Sequence, residues 1–374
     1  MREHVYLAAF MTEAIATGRV KEYLGAVSAF DENGVAFAKE LRAQYGEDAE
    51  RSYLALWRKY QQLLAAYSGQ LAFGIPAKTP AKTVAKIKKR NATTLLELNG
   101  LPAKYGPLMS SITPLLNPFR AAKLMADVLT EIESFIGSQV KKDFGAADLS
   151  VRSAAGNAES LGTAIASAMI EDHPAIFPGS PNTLPAQFRY RLSALLSENV
   201  YLLSFATQES ATGRSAELKA ATAALKASTS QLAAHLGSAY GSDFVKSFTP
   251  LWEGHSNLIL SYAAAGKDKA KKDKAAADLD QHTKDVTTFF VGANSKLDAG
   301  DLQHFLSSLG NLLKTVVDNQ VGGTFETAGV SIRGAAEGTD ALGVTFTRAT
   351  VLNFPRAFQP PEPSSQSPSA FSSK

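Results

Sequence analysis

The chain has 374 residues, 45% of them hydrophobic and 20% charged, with a formal charge of +3. That length holds two ordinary domains, and so small a net charge excludes nucleic-acid binding driven by bulk charge. Cysteine is absent, which excludes disulfides, thiolate metal sites and cysteine nucleophiles together.

Helical pattern begins at once with Glu3-His4-Val5-Tyr6-Leu7, and no signal peptide is expected ahead of Glu3. After a Thr17-Gly18-Arg19 break, Tyr23, Val27, Phe30, Gly34, Phe37 and Leu41 step by four and three, the rhythm of a bundle helix. A stop at Gly46 precedes a second stripe, Tyr53, Trp57, Tyr60, Leu64 and Tyr67. Val84, Ile87 and Leu95 mark a third helix. Lys78, Lys82, Lys86 and Arg90 fall at four-residue steps along one face of it, with Lys88 and Lys89 beside them. Leu101 to Pro118 holds four prolines and is expected to be irregular.

Residues 177–186 read as a linker by composition. The pattern then restarts at Gln187. Later stripes run through Leu302, Phe305, Leu309, Leu312 and Val316, and through Phe325, Ile332 and Phe346. The proline- and serine-rich tail from Gln359 should not fold alone. Period-two alternation is nowhere sustained, so no sheet is predicted. No apolar run reaches the roughly 18 residues of a membrane-spanning helix.

The chain repeats itself. Glu3-His4-Val5-Tyr6-Leu7 recurs as Glu198-Asn199-Val200-Tyr201-Leu202, Thr17-Gly18-Arg19 as Thr212-Gly213-Arg214, and Leu56-Trp57 as Leu251-Trp252, all at an offset of 195. The offset holds without a gap from Glu3 to Tyr67, with about a third of positions identical. Phe144/Phe325, Arg152/Arg333 and Leu161-Gly162/Leu342-Gly343 recur at 181, so the first copy carries 14 extra residues. The prolines place that insertion around Leu101 to Pro118. The second copy has a lead-in, Gln187 to Leu195, that the first lacks, which suggests an N-terminus shortened by processing.

The predicted architecture is all-α: two tandem, homologous antiparallel bundles of about six helices each, burying their aromatic stripes in two separate cores. They cover residues 1–176 and 187–358, with the tail at 359–374.

Histidines come first among candidate ligands, because a bundle core can hold a metal or haem. Glu3, His4, Glu198 and His255 are the candidates. His255 and His282 sit on adjacent helices. A turn centred near Ala265 puts them at levels differing by roughly 10 Å, too far for a shared metal. His173, His235 and His304 read as surface residues. Tyr6/Tyr201, Trp57/Trp252 and Tyr67/Tyr262 are expected in the cores, where aromatics at helical spacing belong. The basic ridge Lys78, Lys82, Lys86 and Arg90 suits an anionic polymer, lipid headgroup or acidic protein. It has no interleaved aromatics for base stacking, so nucleic acid is not expected. No di-iron Glu-x-x-His pair, His-Glu-x-x-His, Gly-x-Ser-x-Gly or Walker loop occurs.

The succession Glu-His-Val-Tyr-Leu, Thr-Gly-Arg, Gly237-Ser-x-Tyr-Gly241, then Leu251-Trp-x-x-His255 with Tyr262, then Lys267-Asp-Lys-Ala-Lys271, resembles an uncharacterised family of exported bacterial proteins built from this helical unit, singly or in tandem. The likeness covers both copies and is closer in the second. It implies export and carries no established activity. The family pattern favours histidine after the first glutamate and after the tryptophan. Here those survive only as His4 and His255, so any ligand site the pattern implies is incomplete in each bundle. The expected function is a non-enzymatic, exported binding or structural protein with a protein partner and no cofactor. The tail Gln359 to Lys374 is a docking candidate. A metal- or cofactor-binding bundle is the alternative.

Overall fold

The computed structural model describes residues 1–359, and among these there are only helices. The first half contains α1 (Arg2–Ala16), α2 (Val20–Tyr45), α3 (Glu47–Phe73), α4 (Ala81–Asn99), α5 (Leu101–Ile112), α6 (Pro118–Val140) and α7 (Phe144–Asp172). The second contains α8 (Leu184–Thr212), α9 (Ser215–Tyr240), α10 (Ser242–Ala264), α11 (Lys269–Ala293), α12 (Ala299–Gly322) and α13 (Phe325–Asn353). A short 3-10 turn, Pro355–Phe358, follows. The halves thus have seven and six helices rather than six each. The expected linker is shorter at its far end, because Thr183 caps α8 by accepting from the Ala186 amide at 3.3 Å and Pro185 sits in the first turn, where its missing N–H costs nothing.

The sequence offsets recur as helix boundaries. α2 and α9 coincide at an offset of 195, and α7 and α13 at 181. Gly46 and its twin Gly241 end their helices at φ +86° and +88°, a conformation an L side chain rarely adopts.

The prolines mislead about the insertion. The offset of 181 already pairs buried positions from Leu98/Leu279 through Tyr105/Val286, Met109/Phe290 and Leu116/Leu297 to the caps Asn117 and Asp298. Residues 101–118 are therefore shared structure, and the 14 extra residues fall within 70–87. There α3 runs on past the point where α10 ends, and α4 starts earlier than α11. What Pro102 does is split one helix into two. It has no N–H for the Leu98 carbonyl, so the single helix α11 is matched by the last turns of α4 plus α5, broken at Gly100.

The two halves do not keep separate cores. α1 and α8 run side by side, parallel and in register. Tyr6 stacks on its twin Tyr201 at 5.1 Å with the rings 4° from parallel, and Phe10 stacks on its twin Phe205 at 3.7 Å. Around this seam α7 packs on α9, and α13 packs reciprocally on α2. One buried apolar cluster consequently runs from Val5 and Trp57 through Tyr201 to Ile259 and Val316. A second cluster fills the far end of the second half, where the lead-in of α8 contributes Phe188, Leu192 and Leu195. Both tryptophans are buried, as expected, and each stacks on the aromatic four residues earlier, Tyr53 at 5.8 Å and Phe248 at 5.6 Å.

Gly25 shows how tightly the halves meet: a Cβ built there would lie 2.5 Å from the Phe325 carbonyl carbon, which is backbone and cannot swing away. Gly25→Ala is therefore expected to lower stability by about 1–3 kcal/mol, read as a fall in urea midpoint at unchanged slope. Gly156→Ala, at a helical site with open space around it, should instead gain about 0.5–1 kcal/mol.

Candidate functional site

Four places carry chemistry beyond core packing. The first is His4, fully buried on α1. Its ring meets Trp57 edge-on at 5.4 Å and Tyr60 at 6.2 Å, and neither ring nitrogen has a hydrogen-bond partner. Burial drives its pKa down to about 3, so the ring is neutral. Beside it lies a small, partly open cavity of about 10 Å³, room for one water, lined by Tyr53, Trp57, Tyr60, Leu101, Tyr105 and Met125 among others. In the second half Asn199 takes the equivalent place and is fully bonded. It accepts from Trp252 Nε1 at 3.0 Å and donates to Ser228 Oγ at 2.8 Å. Trp57 Nε1 turns instead to the Phe30 carbonyl at 3.3 Å, in space left by Gly34.

The second place is the His255/His282 pair, whose rings lie 6.2 Å apart. The sequence argument separated them too widely, because four non-helical residues form the turn between α10 and α11 and shorten the level difference. His255 is buried and driven down to about 4, by burial first and His282 second. His282 Nε2 bonds the Leu251 carbonyl at 2.9 Å, entering over Gly254, where a Cβ would sit 3.0 Å from its ring. Of the other histidines, His304 is exposed. His235 is half-buried, stacks on Phe188 at 4.4 Å and bonds the Phe188 carbonyl at 2.9 Å; His173 is half-buried against Tyr45.

The third place is the seam. Glu3 and Glu198, offered above as metal ligands, are taken up by arginines. Arg333 Nε reaches Glu3 at 2.7 Å, and its twin Arg152 reaches Glu198, the twin of Glu3, at 2.6 Å. Each ion pair joins one half to the other. Arg2 adds bonds to Glu198 and to Glu159, the latter at 2.6 Å. The four candidates therefore do not assemble as one donor set. His4 faces its own aromatic box and His255 faces His282. Among the described residues no group of three His, Asp or Glu side chains is placed to hold a metal.

At the other end of the seam, Glu22 accepts from Arg19 at 2.8 Å, from Arg214 at 3.2 Å and from Gln208 at 2.8 Å. Asp148 and Glu209 lie close by. Asp148 is pushed up to about 7, by burial first and by Glu13 second, with Arg152 opposing. Burial and Glu13 also push Glu209 up, despite its bond to Arg214. Sequence reasoning missed these acids: Glu22 repeats as Glu217, but Glu13, Asp148 and Glu209 have no acidic twin. Arg152 and Arg333 were visible as a matched pair, but their partners lie across the fold.

The fourth place is the basic ridge. Lys82, Lys86 and Arg90 lie exposed on α4, and Lys78 in the turn before it. No Asp or Glu occurs between Glu50 and Glu97. Arg58 and Lys59 in that stretch are paired, with Asp31 at 2.9 Å and Glu97 at 2.6 Å. Among the described residues Lys78, Lys82, Lys86, Lys88, Lys89 and Arg90 have no ion pair. The ridge is the inserted segment: between Ser68 and Thr94 no residue is buried, so the end of α3 and the first turns of α4 form a projecting hairpin.

No helix among the described residues is long and apolar enough to cross a membrane. Of the tail Gln359 to Lys374, only Gln359 lies within the described residues. No protein-family model, curated protein or solved structure matches the chain.

Asp148 makes stability pH-dependent. A carboxyl whose folded pKa lies above its unfolded value binds its proton more tightly when folded. Its contribution to stability therefore falls as pH rises from about 4 to about 7 and levels off above, against the opposite contribution of the buried neutral His4 and His255. Asp148→Asn should flatten that slope and raise unfolding free energy at pH 8 by about 2 kcal/mol, with little change at pH 4, in urea titrations at the two pH values.

Proposed function

We propose that the protein is a non-enzymatic, exported binding protein, in which two fused bundles form one rigid scaffold that presents the basic hairpin to an anionic partner at the cell surface. The observation that carries this reading is the placement of the 14 extra residues. They add nothing to the core, and they carry or adjoin six cations without a salt-bridge partner. Segments that bury nothing do not stabilise the fold, so a run of like charges there is accounted for by what it meets outside. Export rests on the resemblance to tandem-bundle proteins.

Photo-crosslinking in the native host tests it. A crosslinking residue at Ala77, on the hairpin, is expected to give specific adducts. One at Leu115, at the opposite end of the bundle, is not. Equal labelling at both sites would defeat the reading.

The metal- or cofactor-binding alternative draws support from one feature, the fully buried His4 with both ring nitrogens unbonded. Elemental analysis and an absorption spectrum of protein from its native source separate the two. The binding-scaffold reading expects neither stoichiometric metal nor a Soret band, and either one would replace it.

A further inference from the structure

The hairpin's neighbours narrow down its partner. It lies at the end of the bundle where α1 gives way to α2. At that end four large apolar side chains stand in solvent: Val20 at 66% exposed, Leu24 at 56%, Leu71 at 40% and Phe73 at 64%. The twins of Val20 and Leu24 are Ser215 and Lys219, neither apolar, while Leu71 and Phe73 fall in the inserted stretch and have no twin. At these positions the apolar side chains belong to the half that carries the hairpin and are not part of the shared pattern. Along α4 the spacing puts Lys82, Lys86, Lys89 and Arg90 within one arc, on the side away from the half-buried Val84, Ile87 and Asn91. Leu96, 75% exposed, lies seven residues on from Lys89 and so on the same arc.

We infer that this end of the protein docks on an anionic lipid surface, with the lysines meeting headgroups and Phe73 and its apolar neighbours entering the interface. This deepens the proposed function and rests on it. Five of the six cations are lysine, compact point charges suited to a diffuse layer of headgroups rather than to forked recognition of single carboxylates. The apolar side chains come from two helices, Val20 and Leu24 at the start of α2 and Leu71 and Phe73 at the end of α3. Lysines flanking exposed apolar residues are the composition of a shallow interfacial anchor. Each Lys or Arg near such a surface adds to the attraction, so the six cations suffice for reversible binding without a spanning helix. The α10–α11 turn, at the same end of the second half, has Asp268, Asp273 and Asp278 among its lysines and lacks the one-sided charge.

Sedimentation of the whole protein with phosphatidylcholine vesicles, with and without phosphatidylglycerol, tests this, with polyglutamate beads as a parallel arm. Binding is expected only to vesicles containing phosphatidylglycerol and should weaken with salt. Lys82→Glu/Lys86→Glu/Lys89→Glu should lower the partition coefficient about a hundredfold. Phe73→Ser should lower it several-fold with the salt dependence kept. These positions bury nothing, so circular dichroism and urea midpoints should match the parent. Equal binding to neutral vesicles, or indifference to the charge reversal or to Phe73→Ser, overturns the lipid inference. Retention on polyglutamate without vesicle binding also overturns it, while leaving an anionic protein partner. Binding to neither overturns the docking function itself.

Discussion

The contact on which the structure depends is the in-register meeting of α1 with α8. Two stacked aromatic pairs, Tyr6 on Tyr201 and Phe10 on Phe205, lie along it, and each pair joins a residue to its own twin. A contact between equivalent residues is what a two-fold relation produces, and it makes a fused dimer of what would otherwise be two beads on a string. The reciprocal bonds Arg152 to Glu198 and Arg333 to Glu3 obey the same relation. Buried or half-buried ion pairs return little net stability, since desolvation offsets most of their attraction. Their value here lies in register: sliding α1 along α8 by one turn would leave both carboxylates without their arginines.

Once the halves are locked face to face, the stacked aromatics and the reciprocal arginine–glutamate pairs are alike in both halves, while positions around them diverge. His4 and Asn199 occupy matching positions, yet the first is unbonded in an aromatic box and the second is at the centre of a hydrogen-bond network. Tyr60 and His255 also occupy matching positions with different chemistry, and each keeps a buried polar atom without a partner. The insertion between α3 and α4 lies at the margin, where adding residues requires no repacking. A fused pair can keep one copy plain while the other acquires an outward feature, and the basic hairpin is such a feature.

Element type was legible from the three-and-four spacing of stripes such as Tyr53-Trp57-Tyr60-Leu64, and helix ends from the paired glycines. The duplication showed which residues are equivalent. Pattern matching failed where two physical effects share one symbol. Four prolines between Leu101 and Pro118 were read as irregular chain, but Pro102 opens a helix, where its missing N–H is harmless, and only splits what α11 keeps whole. The true insertion begins in the helical run of α3, and helices of different length look alike in a local window. The His255/His282 separation failed for a related reason, since counting residues across a turn treats the turn as helix.

The sequence alone determined that the chain is helical, that it consists of two related halves, and that one stretch has cations without acids, because periodicity, identity at a constant offset and composition are properties of the string. Only the tertiary structure decided that the halves share a core, that Glu3 and Glu198 belong to arginines and not to a metal, and that the cations stand on a hairpin beside exposed Phe73. Those facts depend on which helix faces lie within a few ångströms of each other, and the partners are separated by up to 330 residues of chain.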